Sequence, residues 1–268
     1  MEKIGILVGN GNLPYFFYKA AIKSGYDVYP IGLFDSVSSK LKKAPNYIQI
    51  NIGELGKLLS YLLLNKVDKL IMLGKVEKSI IYQDLKLDEM FQNLISKLPD
   101  RKDETLVFGI MAILKENGID ILPQNFLLNH FVAEEKQYTT LGIENEDDKK
   151  SIEIGIEAAK TLGKLDVGQT VVVNKKAVVA LEAIEGTDET IKRAGVFSGN
   201  NCIIVKTSRP QQDMRVDVPA IGLNTLEEAI KIKAKGIVIE AGKVLILDKE
   251  KLIKKANENN MFIVGVVI

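Results

Sequence analysis

Apolar and polar residues change their period along this chain, and each change marks an element. Ile4-Gly-Ile-Leu-Val8 is an apolar run of strand length, closed by Gly9-Asn-Gly-Asn-Leu-Pro14. Helical spacing runs over 15–24 and stops at Gly25, and residues 28–33 again have the length and character of a buried strand. The first half continues with helical spacing over 56–64 and an apolar strand over 69–73 that leads into Gly74-Lys75-Val76. Helical stretches follow over 84–98 and 103–117, the second stopped by Gly118, then a short strand over 119–122. Strand, glycine turn, helix and strand in that order predict a Rossmann-like, doubly wound parallel sheet.

The second half predicts a mixed α/β domain. An amphipathic helix covers 148–162, and two apolar runs, 170–173 and 177–184, flank Asn174-Lys-Lys as a β-hairpin. A short helix follows Glu185-Gly-Thr-Asp188 and runs to Arg193-Ala-Gly195, with Thr187 or Asp188 as its N-cap. Residues 202–205 form a strand ending in Lys206. Thr225 and Glu228 have the spacing of a capping box for a helix through Lys235. Strands at 236–240 and 243–247, a helix capped by Asp248 and a closing strand over 261–268 complete the half. Between the halves, residues 131–147 lose all periodicity and carry most of the acidic run Glu144-Asn-Glu-Asp-Asp-Lys-Lys150, which predicts an exposed linker. The expected fold is therefore α/β in two domains: 1–130 Rossmann-like, a linker at 131–147, and a mixed α/β domain at 148–268.

Composition narrows the chemistry. Of 268 residues 46% are hydrophobic, enough for sizeable cores, and 36 Lys and Arg balance 35 Asp and Glu to a net charge of +1, which argues against a nucleic-acid face. The single cysteine, Cys202, excludes an intrachain disulfide. The single histidine, His130, sits among apolar neighbours and reads as structural. Zinc hydrolase, Ser-His-Asp and thiol mechanisms are thereby disfavoured, and any metal should be a hard divalent cation on carboxylates, magnesium first. The first residues show no signal-peptide pattern and no apolar stretch approaches the ~18 residues of a membrane span, so a cytoplasmic protein is expected.

Two regions carry candidate chemistry. Gly9, Asn10 and Gly11 form a near match to a nucleotide-binding turn with Pro14 in the last glycine position, and Asp35 follows the second strand where an acid takes a ribose hydroxyl. Lys75 stands at a strand's carboxyl end, where open α/β sheets place ligands. Tyr15-Phe-Phe17, just after the turn, reads either as an apolar wall or as a core face. In the second half, Asp213, Arg215 and Asp217 alternate with Met214, Val216 and Val218, which in an extended segment puts two carboxylates and a guanidinium on one face. Glu185, Asp188, Lys206 and Arg209 lie at neighbouring element ends. The readings left open are a phosphate or metal-phosphate enzyme, a non-catalytic nucleotide-sugar or lipid-binding protein, and an NAD-dependent oxidoreductase using the first turn.

At these residues the chain resembles a known family. Gly9-Asn-Gly-Asn-Leu-Pro14, Leu165-Asp-Val-Gly-Gln169, Glu182-Ala-Ile-Glu-Gly-Thr-Asp188, Arg193-Ala-Gly195, Pro210-Gln-Gln-Asp-Met-Arg-Val-Asp-Val-Pro-Ala-Ile-Gly222 and Ala241-Gly242 together are similar to the UDP-2,3-diacylglucosamine pyrophosphatases of the LpxI type, enzymes of lipid A biosynthesis. The family usually has a lysine at Arg209, a glycine at Gln211 and more glycine around Asn10. The resemblance implies hydrolysis of UDP-2,3-diacylglucosamine to UMP and 2,3-diacylglucosamine 1-phosphate, two domains with the ligand between them, a divalent cation, and an essential aspartate at 213 or 217. On this reading Asp213, Asp217 and Arg215 are the catalytic candidates, and Asp188, Asp213 and Asp217 the metal ligands. Gly9, Asn10, Gly11, Lys75, Gln169, Thr187, Arg193 and Lys206 are the substrate-binding candidates. Contact with the inner-membrane surface and homodimerisation are further expectations.

Overall fold

A computed structural model describes residues 1–35, 37–74, 86–100 and 103–268. The chain divides into two compact units, one of residues 1–128 with 214–216, the other of 129–213 with 217–268.

The first unit is built on a five-stranded, all-parallel sheet of order β3-β2-β1-β4-β5. Its strands are β1 (Lys3–Val8), β2 (Asp27–Gly32), β3 (Ile48–Gln49), β4 (Lys69–Leu73) and β5 (Asp120–Leu122). The helices are α1 (Leu13–Lys23), α2 (Ser39–Lys42), α3 (Leu55–Leu64), α4 (Glu89–Lys97) and α5 (Asp103–Glu116). Fully buried Ile4, Ile6 and Val8 explain why β1 reads as an unbroken apolar run: a central parallel strand is covered on both faces. Leu55, Leu58, Leu59 and Leu62 of α3 pack with Tyr29, Ile31, Leu70, Phe91 and Leu114 in one core. The strand order reverses between β1 and β4, the place where doubly wound sheets open a crevice at the carboxyl ends. Short α2 and β3 lack a sequence period of their own and are not expected from the pattern.

The second unit is a three-layer sandwich around a six-stranded mixed sheet of order β6-β13-β11-β9-β7-β8. Its strands are β6 (Lys136–Gln137), β7 (Thr170–Asn174), β8 (Ala177–Leu181), β9 (Ile203–Lys206), β11 (Gly236–Glu240) and β13 (Phe262–Val266), with β10 (Ala220–Ile221) and β12 (Leu245–Ile246) as a separate parallel pair. Helix α6 (Glu146–Lys164) covers one face, where Ile152, Ala159 and Leu162 meet Val171, Val173, Val205 and Phe262. Helices α7 (Thr187–Ser198), α8 (Leu223–Lys231) and α9 (Lys249–Glu258) cover the other, where Ile191, Ala194, Leu226, Ala229 and Leu252 meet Val172, Ile204, Ile237 and Ile263. Residues 171 and 173 thus face one way and 172 the other, the period-2 alternation of a strand buried on both sides.

Several local expectations are corrected. Residues 136–137, inside the stretch read as linker, pair antiparallel with β13, and Thr139 is buried with its hydroxyl accepting the Ile263 N–H at 2.7 Å. The acidic run around Asn145 starts α6: Asn145 accepts the Asp148 N–H at 2.7 Å, and Glu146, Asp147 and Asp148 sit in the first turn, where carboxylates meet the positive end of the helix dipole. Helix α7 begins at Gly186, and α8 at Gly222, with no side-chain cap on either, so neither Thr187 nor Asp188 nor a Thr225–Glu228 box does the capping. Asp248 precedes α9 in a left-handed conformation without a side-chain cap bond. His130 is exposed, its ring 4.0 Å from that of Phe131.

Candidate functional site

Three adjacent strand ends bring the first group of polar residues together. Thr170 at the start of β7 lies opposite Lys206 at the end of β9, and the Glu182 N–H donates to the Thr170 carbonyl just past β8. Thr187, in the first turn of α7, meets them: its hydroxyl donates to Glu182 Oε1 at 2.9 Å and accepts from Lys206 Nζ at 2.6 Å. Lys206 also reaches Thr170 Oγ1 at 3.2 Å, and the Gln169 N–H donates to Glu182 Oε2 at 3.1 Å. Lys206 is 5% exposed and Glu182 9%, so the two form a buried charge pair bridged by hydroxyls. Burial pushes the Glu182 carboxyl up, yet the Lys206 charge and the donors around it outweigh this and hold it below its ordinary range. Lys206, a substrate-binding candidate in the sequence, has its ammonium buried against Thr187 and Thr170.

A second, more open layer is joined to the first through Gln169. Its Nε2 donates to Asp217 Oδ2 at 3.2 Å, and the same oxygen accepts from Arg209 Nη2 at 2.8 Å and Gln212 Nε2 at 3.2 Å. Arg209 also pairs with Asp166. Burial works against the Arg209 guanidinium, but Asp166 and Asp217 together hold it above its ordinary value. The Asp217 side chain is nonetheless 46% exposed. Gly168 makes this arrangement possible, since a Cβ there would stand 2.4 Å from the Glu182 carbonyl oxygen. Among the described residues, the buried atoms Gln169 Oε1 and Thr207 Oγ1 have no hydrogen-bond partner.

Asp213 and Asp217 do not lie on an extended face. The Asp217 N–H donates to the Asp213 carbonyl at 3.1 Å, so residues 213–217 close one tight turn. Alternation of apolar and charged side chains has the same look in sequence whether the backbone is extended or turned, and Pro219 and Gly222 close by suit either. Arg215 sits within the turn, between the two aspartates.

The remaining candidates separate. Asp188 accepts from Thr225 Oγ1 at 2.8 Å, and among the described residues no three His, Cys, Asp or Glu side chains are gathered as metal ligands. Among the described residues, Asp188, Asp213 and Asp217 are not gathered into one cluster of carboxylates. Magnesium retains waters and phosphate oxygens and takes only one or two carboxylates, so it does not require a three-carboxylate cage. Arg193 ties α7 to the end of β8, donating to the Leu181 carbonyl at 2.7 Å and to Glu185 at 2.6 Å. In the first unit, Gly9, Asn10 and Gly11 lie at the carboxyl end of β1, at the reversal of strand order. Gly11 has φ +104° with open space where a Cβ would project, and a Cβ on Gly74 would stand 2.7 Å from Asn10 O, so the two strand-end loops pack backbone to backbone. Asp35 is exposed, and Lys75 lies outside the described residues. Phe17 is fully buried and belongs to the core, whereas Tyr15 and Phe16 are only partly buried.

Sequence reasoning missed Glu182, Thr170 and the role of Arg209 as the partner of Asp217. Glu182 had a signal: an acid continuing the apolar run 177–184 has to be buried and paired if the strand continues.

Taken with the fold, this is a two-unit α/β protein with a carboxylate–guanidinium site on its second unit. Comparison with known proteins agrees with that architecture: residues 3–131 match the model described as the LpxI N-terminal domain, and residues 135–264 match the LpxI C-terminal domain. The chain belongs to the LpxI family. It is 27% identical to the UDP-2,3-diacylglucosamine pyrophosphatase LpxI of Caulobacter vibrioides, over 99% of this chain and 98% of the relative. Among the described residues no helix is long and apolar enough to cross a membrane.

Proposed function

We infer that the chain is a hydrolase that cleaves the pyrophosphate bond of UDP-2,3-diacylglucosamine, releasing UMP and 2,3-diacylglucosamine 1-phosphate for lipid A biosynthesis. The observation that carries this is the end-to-end match to a relative of that activity, through both family domains in order. Hydrolysis of a diphosphate needs charge neutralisation and a placed water more than covalent chemistry. Asp217, half exposed yet fixed by Arg209, Gln169 and Gln212, has the properties of a group that orients a water or anchors a cation. Asp213, four residues back in the same turn, is its partner in that role. Arg209 and Arg215 supply positive charge near the turn for phosphate oxygens. A magnesium ion, when bound, would neutralise charge on the diphosphate, with Asp213 and Asp217 as its protein ligands. The Glu182–Lys206 pair has a structural part: it fixes Gln169 and the start of α7 under the working residues. In the first unit, Gly9, Asn10 and Gly11 offer backbone at a helix N-terminus, a fitting surface for the nucleotide phosphate. A substrate with two acyl chains resides in a bilayer, so the enzyme meets it at the membrane surface.

The test is incubation of purified protein with UDP-2,3-diacylglucosamine and Mg²⁺ in ¹⁸O-water, with and without EDTA. The expected result is UMP and the lipid 1-phosphate in equal amounts, suppressed by EDTA, with the label on one product identifying the phosphorus attacked. Substrate binding without UMP release would replace hydrolysis with a binding role.

A further inference from the structure

Gln124 lies just beyond the carboxyl end of β5, is 5% exposed, and makes three short hydrogen bonds to main-chain carbonyls. Its backbone N–H donates to Met214 O at 2.6 Å. Its side-chain Nε2 donates to Val216 O at 2.7 Å and to Met72 O, in β4, at 2.7 Å. Both carbonyls of the 214–216 turn that it grips thus belong to the short segment that joins Asp213 to Asp217. A glutamine amide has two N–H donors, and here both are used: one on the turn, one on a rigid central strand of the sheet. Nothing in the local sequence of 213–217 demands a turn, so its geometry depends on partners elsewhere in the chain. Gln124 is such a partner, 92 residues from Val216 in sequence.

We propose that Gln124 is a positioning residue for the hydrolysis: by holding the carbonyls of Met214 and Val216 it fixes the turn that sets the spacing between Asp213 and Asp217. The inference rests on the reading of those two aspartates as the working carboxylates. Gln124 touches neither of them and acts through the main chain between them. A displacement of about 1 Å of a reacting group costs on the order of 100-fold in rate, so a clamp of this kind is read in turnover before it is read in affinity.

Gln124→Met keeps the length of the side chain and the backbone donor while removing both Nε2 bonds. Its kcat and KM for UDP-2,3-diacylglucosamine are to be compared with wild type and with Leu114→Ala, a cavity variant in the same unit's core that leaves the turn's partners in place. The expected result is a fall in kcat of roughly 10- to 100-fold with KM changed by less than about threefold, while Leu114→Ala lowers Tm and keeps kcat. Gln124→Glu, which puts a carboxylate where two carbonyls need donors, serves if the Met variant does not fold. A folded Gln124 variant with wild-type kcat overturns the proposal, as does an equal loss of kcat in Leu114→Ala. Failure of the wild-type protein itself to release UMP would instead overturn the functional reading beneath it.

Discussion

Lys206 and Glu182 decide how the second unit holds its site. A charge pair this buried adds little net stability against an apolar pair of the same shape, but removing one member strands the other. Lys206→Met should therefore cost about 3–5 kcal/mol at neutral pH, measured by denaturant unfolding. The pH dependence has a definite sign. In the wild type the Glu182 carboxyl is held below its ordinary value, so its contribution is present above the ordinary carboxylate range and is lost as pH falls through the depressed value. Without Lys206, only the donors of Thr170, Thr187 and Gln169 oppose burial, so Glu182 rises from its wild-type value and acidification neutralises the stranded carboxylate. The stability deficit of Lys206→Met should shrink from neutral to mildly acidic pH; a deficit independent of pH would show that the two side chains are not coupled. At this scale the sequence was legible for residue type and poor for role. Lys206, Thr187, Gln169 and Asp217 were all singled out, and the fold brings them into one connected network. Which of them is buried depends on strand register and on Gly168, and neither has a period to read. Thr187 and Thr225 have the appearance of helix caps, yet their hydroxyls go to a charge network and to Asp188, because two glycines already begin the helices.

At the scale of elements, the hydrophobic pattern carried most of the fold. Long elements with one strong period, such as α1, α6, β1 and β11, fall within a few residues of their expected bounds, since burial on a helix stripe or on both strand faces writes itself directly into the sequence. The short elements β3, β6 and α2 escape because two to four residues hold no period. The β7–β8 hairpin was legible from its flanking runs, but its turn is unusual. Lys175 and Lys176 have φ of +48° and +65°, left-handed positions that lysine adopts at some cost. Replacing them with Asn and Gly, the residues that favour two successive left-handed positions, should stabilise the protein by about 0.5–1 kcal/mol without changing turnover. Denaturant unfolding checks this, and a loss of stability would mean that the salt bridge from Lys176 to Asp147 outweighs the backbone gain. The 213–217 segment is the opposite case: its alternation predicts an extended strand, and a hydrogen bond from Asp217 N–H to Asp213 O folds it into a turn. Its partners, Gln124 and Gln212, are invisible to any local pattern.

The whole molecule joins a parallel, doubly wound unit to a mixed sandwich, and both classes were readable from the order of strands, glycine turns and helices. The carboxylate site on the second unit has no histidine and no thiol, in keeping with a hydrolysis run by positioned charge. An oxidoreductase would rest on the glycine turn alone and would leave the Asp217 network without a task. On the proposed reading, the turn at 213–217 performs the cleavage of UDP-2,3-diacylglucosamine. The most direct measurement is the rate of UMP release by Asp213→Asn and Asp217→Asn, each made separately and each shown to fold by its thermal unfolding. A loss of at least about 100-fold in kcat for one or both, at near wild-type Tm, is the predicted result. Near wild-type rates in both folded variants would contradict the account and move the chemistry away from this turn.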